Sequence, residues 1–247
     1  MERVAEPVPT EPPAIVAPPA EPAESGPAEA PAEPTSPEMD ASGFVLLSEA
    51  RPEIAQEIRY SSDHNFVGTR IDGYEQPVAI VTREAAEALG TASRLAGEHG
   101  CRLKVYDAYR PQRAVDHFVR WSQDPGDVVA KEEFYPDLDK ESLFPLGYVS
   151  RTSRHTRGST VDVTLVDAAT GAELDMGGHF DFFGELSHPD YDGVTSDQHE
   201  NRMLLREIMV ASGFDPIPTE WWHFDLANEP YPDTFFDFPV SAASVGR

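Results

Sequence analysis

His155 and Asp162 stand seven positions apart in SRHTRGSTVDVTL (153–165), and Glu220 and His223 stand three apart in TEWWHFDL (219–226). These residue types suit zinc, which in hydrolytic sites takes three protein ligands from His, Asp and Glu and leaves one position for water. His155, Asp162 and His223 would supply that set. Glu220 then suits a general base, taking a proton from attacking water and handing it to the leaving amine. Arg110, at the end of VYDAYR and held by Pro111, suits the cation that an oxyanion on the attacked carbonyl needs. The same residues also read as polar positions on two strands, because neither stretch is as specific as a helical HExxH motif.

The spacing makes demands on the elements around them. In a regular strand an odd offset places side chains on opposite faces. Gly158 and Ser159 therefore predict a turn between His155 and Asp162, with Asp162 opening the strand that follows. Glu220 and His223 predict a bulge, turn or strong twist within 219–223. Thr82 caps a helix over 82–100 whose apolar stripe is Ala85, Ala88, Leu89, Ala92, Leu95 and Ala96. CRLKVYDAY alternates like a strand, and Pro111 starts a helix carrying Ala114, Val115, Phe118 and Val119. VDVTLVD (161–167) reads as a strand, residues 198–213 as a helix ending at Gly213, and EWWHFDL as an aromatic-rich strand. Helices and strands mix irregularly, which favours an α+β domain over a doubly wound sheet.

Residues 1–40 hold 11 of the 23 prolines, eight alanines and nine acidic residues against the single basic Arg3. Such a segment cannot repay the entropy of ordering, so 1–41 is expected to be a disordered acidic tail and 42–247 one catalytic domain. The formal charge of −25 leaves −17 on the domain once the tail is set aside. That argues against nucleic acid or an anionic membrane as partner. No apolar run approaches the length of a membrane span. With no signal-like start, a cytoplasmic location is expected, or the cell envelope if Met1 is not the true start. Cys101 is the one cysteine, which suits a small buried side chain.

SRHTRGSTVDVTL and EWWHFDL resemble the S-x-H-x-x-G-x-x-x-D and E-x-W-H segments of the zinc D-alanyl-D-alanine dipeptidases of the VanX type, within the D,D-peptidase and hedgehog-like metallopeptidases. Further similar stretches follow in order: HNFVG, IDGYE, YDAYRPQRAV, FYPD, MGGHFDFFGE, NRMLLREIMVASGF and EPYPDTFFDFP. Together they cover roughly 44–240. The resemblance implies a single α+β domain with a central, mostly antiparallel sheet flanked by helices. It implies one zinc per subunit on His155, Asp162 and His223, Glu220 as acid/base, and Arg110 on the tetrahedral intermediate. It also implies that Asp181 holds the substrate's ammonium and that Tyr74 and Ser153 lie near a bound dipeptide. The implied reaction is hydrolysis of D-Ala-D-Ala, in glycopeptide resistance or recycling of cell-wall D-alanine. Arg154 departs from the family pattern, standing where a small residue is common.

Two other functions share these residues. A D,D-carboxypeptidase or endopeptidase on peptidoglycan stems would use the same chemistry in an open cleft. A non-catalytic zinc module would need neither Glu220 nor Arg110, and structural zinc prefers four protein ligands. Of the remaining histidines, His179 is the best suited to a supporting role, being near Asp181 in sequence. Asp225 reads either as a carboxylate orienting a ligand histidine or as a solvated one. The sequence leaves the oligomeric state open.

Overall fold

The computed structural model describes residues 40–245. The expected tail therefore lies, but for its last two residues, outside the described residues. Among the described residues seven strands are present: β1 Phe44–Leu46, β2 Ala55–Gln56, β3 Ile80–Thr82, β4 Cys101–Asp107, β5 Thr160–Asp167, β6 Phe214–Pro216 and β7 His223–Leu226. The helices are α1 Leu47–Ala50, α2 Arg83–Glu98, α3 Gln112–Ser122, α4 Lys131–Phe134, α5 Lys140–Leu143 and α6 Ser196–Ala211. Five strands form one sheet in the order β2-β4-β5-β7-β6, and only the β2–β4 pair is parallel. A separate two-stranded pair joins β1 to β3. This is a mixed α+β domain with a mostly antiparallel sheet.

The sheet's two faces follow from the period of two. Leu103 pairs with Leu165 and Val105 with Val163, and all four are fully buried. Helices α2 and α6 pack against the sheet and each other. Burying each such side chain stabilises the fold by roughly 1.5–3 kcal/mol. On β5 the intervening Thr160, Asp162 and Thr164 occupy the other face and are also buried. A polar row under cover needs partners, and this row is where the chemistry gathers.

The helices begin where local chemistry allows. Thr82 accepts a hydrogen bond from the Ala85 amide at 3.3 Å and caps α2. Helix α6 starts at Ser196, two residues before the expected 198, because Thr195 and Gln198 form a reciprocal capping box. Cys101 is buried, as expected of a small apolar side chain. Among the described residues no helix is long and apolar enough to cross a membrane.

Candidate metal centre

Register brings the first acidic and imidazole groups together. Asp162 on β5 sits directly opposite His223 on β7 and opposite Asp107 on β4. The row forms because an irregularity between Val105 and Asp107 shifts β4 by one residue. Asp162 is the third residue of β5, not the strand opener that its spacing suggested; Thr160 takes that place.

His155 arrives from a short 3-10 turn, Arg154–Arg157, which ends at Gly158. Gly158 has φ +80°, and a Cβ there would lie 2.0 Å from the Phe44 ring. Both constraints demand glycine. The turn expected between His155 and Asp162 is thus present. Residues 221–222 also form a turn, and strand β7 starts only at His223. Glu220 is thereby freed from strand parity and reaches the same side as His223.

Three donor atoms, one each from His155, Asp162 and His223, lie within 4.8 Å of one another. His155 Nε2 is 3.3 Å from His223 Nδ1 and 3.3 Å from Asp162 Oδ2. His223 Nδ1 is 3.2 Å from Asp162 Oδ1. The far nitrogen of each ring is held: His155 Nδ1 donates to the Ala108 carbonyl at 2.8 Å, and His223 Nε2 lies 3.4 Å from Asp225 Oδ1. That leaves lone pairs on the facing nitrogens. Asp162 Oδ1 is buried without a hydrogen-bond partner. Facing lone pairs and an orphaned carboxylate oxygen fit a divalent cation.

Glu220 Oε2 is 3.5 Å from His223 Nδ1, and its side chain keeps 36% exposure. Arg110 also reaches the site, its Nη2 3.5 Å from Asp162 Oδ2. Its Nε donates to Asp107 Oδ2 at 2.9 Å, and its guanidinium lies over the Tyr60 and Phe118 rings. Asp181 is buried nearby; Tyr60 donates to its Oδ1 at 3.1 Å, while its Oδ2 has no partner. Asp181 has φ +65°, the one non-glycine residue with positive φ among the described residues. Such backbone strain persists only where surrounding structure enforces it, and it clusters at functional sites.

Electrostatics mark the same groups. Burial pushes the Asp162 carboxyl up, but His155 and His223 outweigh it and hold the group well below the usual carboxylate range. Burial lowers the His223 imidazole, yet Asp162 and Asp225 carry it up to about 10, so a cation binding at Nδ1 must displace a proton. Burial raises Glu220, which His223 counteracts and Asp162 reinforces. Burial and then Asp162 push Asp181 well above its ordinary value, with Arg110 opposing.

These groups line a cavity of about 150 Å³, together with Tyr60, Phe118, Tyr148, Val149, Ser153 and Ile217. A larger groove of about 790 Å³, lined by Phe44, Glu49, Arg83 and Val245 among others, holds no comparable cluster of titratable groups. Size is therefore a poor guide to the chemistry here. Tyr74 does not line the smaller cavity. Its buried hydroxyl donates to Asp107 Oδ1 at 2.6 Å, one layer behind Arg110. Nor does His179 reach Asp181: its ring nitrogens lie 2.8 Å from the Phe180 carbonyl and 3.0 Å from that of Glu133. Sequence reasoning missed Tyr60 and Asp107. Asp107 stood within the YDAYRP stretch beside Arg110, a usable signal; Tyr60 had none. Trp221 and Trp222 are both buried, and neither lines this cavity.

The sequence pattern of the Peptidase_M15 family, the D-ala-D-ala dipeptidases, matches residues 40–241. The chain belongs to this family. Among similar Peptidase_M15 proteins, the D-alanyl-D-alanine dipeptidase of Enterococcus faecalis is 43% identical over 199 residues, covering 81% of this chain and 98% of the relative. That of Enterococcus faecium is 41% identical over 198 residues, with 80% and 98% covered. The Streptomyces coelicolor dipeptidase is 42% identical over 198 residues, again with 80% and 98% covered. The Peptidase_M15 match spans every segment of the site, from Tyr60 to Asp225.

Proposed function

We propose that this peptidase hydrolyses the free dipeptide D-Ala-D-Ala to two D-alanines, with one zinc held by His155, Asp162 and His223. When bound, the metal supplies Lewis acidity, polarising the scissile carbonyl and easing deprotonation of water. The observation that carries the substrate reading is Asp181 Oδ2, a buried carboxylate oxygen without a partner in the same small cavity as the three donors. A dipeptide's ammonium supplies the donors and the positive charge that this oxygen lacks.

The chain's own groups then divide the work. Glu220 takes a proton from the attacking water and returns it to the leaving amine, and its raised affinity for protons suits both steps. Arg110, fixed by Asp107, stabilises the oxyanion of the tetrahedral intermediate. Tyr60 orients Asp181 through its hydroxyl. Ser153 lines the cavity and offers a hydroxyl to the substrate carboxylate. Tyr74 acts behind Asp107 rather than on the dipeptide. At about 150 Å³ the cavity falls below the roughly 300–1,000 Å³ of drug-sized pockets, a size that supports a dipeptide over a whole stem pentapeptide.

A panel of D-Ala-D-Ala, L-Ala-L-Ala, D-Ala-D-lactate and a stem pentapeptide, with and without chelator, tests the reading. Chelator-sensitive release of D-alanine from the D,D-dipeptide, with the pentapeptide untouched, is the expected result. Equal or faster cleavage of the pentapeptide would reassign the protein to stem-peptide hydrolysis.

A further inference from the structure

We propose that Arg154 is a positioning residue for the metal centre, acting on His223 through Asp225. The inference rests on the reading of His223 as a metal ligand. Strand β7 places His223 and Asp225 two residues apart, on one face. His223 turns Nδ1 toward Asp162 and Nε2 toward Asp225, whose Oδ1 is 3.4 Å away. The two Asp225 oxygens are separately engaged. Oδ1 also accepts from Thr160 Oγ1 at 2.7 Å, across the Thr160–Asp225 register. Oδ2 accepts from Arg154 Nη1 at 2.5 Å.

Arg154 precedes His155 in the same 3-10 turn. Its guanidinium therefore ties the segment that carries one imidazole to the strand that carries the other. Asp225 has only 9% of its side chain exposed, so its charge depends on these donors. With Oδ2 pinned by Arg154 and Oδ1 shared with Thr160, the carboxylate plane has one orientation. In that orientation it accepts the Nε2 proton, fixing the ring and the tautomer that leaves Nδ1 free.

Arg154 keeps 59% exposure, so water can take the place of its guanidinium at Asp225 Oδ2, and the change in folding stability should be small beside the change in zinc retention. Its effect belongs on the metal. Partners of this kind behind a ligand histidine typically account for about 10–100-fold in metal affinity.

The test measures transfer of zinc from the reconstituted protein to a chromogenic chelator, for wild type, Arg154→Ala, Arg154→Lys, Asp225→Ala and the Arg154→Ala/Asp225→Ala double variant. Zinc loss about 3–10-fold faster is expected in Arg154→Ala, with larger loss in Asp225→Ala and partial rescue by lysine. The double variant should match Asp225→Ala alone, because Arg154 has no other route to the ring. Equal zinc retention in Arg154→Ala and wild type, or additive effects in the double variant, would overturn the inference. A wild-type protein that holds no zinc would instead overturn the metal-centre reading, and this inference with it.

Discussion

Arg110 is aimed by Asp107: its Nε donates to Asp107 Oδ2 at 2.9 Å, while Asp107 Oδ1 accepts from Tyr74 at 2.6 Å. The guanidinium thus reaches the cavity on a carboxylate that is itself pinned from behind. Arg110→Ala should lower kcat by about 10²–10³-fold, as removal of an oxyanion donor does. Tyr74→Phe leaves Arg110 in place but frees Asp107. It should lower kcat/KM roughly tenfold, the worth of about 1.4 kcal/mol of hydrogen bonding to a charged group. Steady-state kinetics of both variants check the order: Arg110 first, Tyr74 a smaller second.

Asp181 gives a pH dependence. Burial, then Asp162, raises its proton affinity in the folded protein. Only its carboxylate form can pair with an ammonium. Binding of the dipeptide should therefore weaken as pH falls through this raised pKa. The acid limb of kcat/KM, which reports the free enzyme, should lie above the ~3.9 of an ordinary aspartate. A pH profile with that limb below ~4 would contradict the assignment.

The same shift predicts a stability trade. A carboxyl whose folded pKa lies above its unfolded value contributes stability below the unfolded value and loses it as pH rises through the folded one. At neutral pH the Asp181 carboxylate is thus a cost to the fold. Asp181→Asn should raise Tm at pH 7, at about 2–4 °C per kcal/mol recovered, while abolishing dipeptide binding. Calorimetry and a binding titration on one preparation check both halves.

Metal removal should act on fold and activity together. Asp162 and the facing imidazoles converge without a hydrogen-bond donor for Asp162 Oδ1. A cation that binds only the folded chain stabilises it by mass action, by about 2.7 kcal/mol at 100 times its Kd. Dialysis against chelator should abolish turnover and lower Tm, and stoichiometric zinc should restore both.

The parts of this account that were legible in the sequence are the local ones. Helix α2 showed its Thr82 cap and apolar stripe, and Gly158 announced the turn behind His155. The start of α6 was readable in Thr195 and Gln198, a capping pair that precedes the apolar pattern of the helix. EWWHFDL was only half a strand, because aromatic content signals β structure without saying where pairing begins. The Asp107–Asp162–His223 row depends on cross-strand register and a bulge, which no local pattern encodes. Sequence proximity misplaced His179: Asp181 turns the chain at φ +65°, and its neighbour two residues earlier points elsewhere. Tyr60 reaches Asp181 across 121 residues, a contact that no period or spacing can announce.

The central claim is that Glu220 moves the proton beside a metal held by His155, Asp162 and His223. Glu220→Gln, assayed for zinc content and for D-alanine release from D-Ala-D-Ala, tests it most directly. One zinc per chain is expected, with turnover reduced by about 10²–10⁴-fold, the range of general acid–base catalysis. Zinc-loaded Glu220→Gln protein that turns over at the wild-type rate would contradict it.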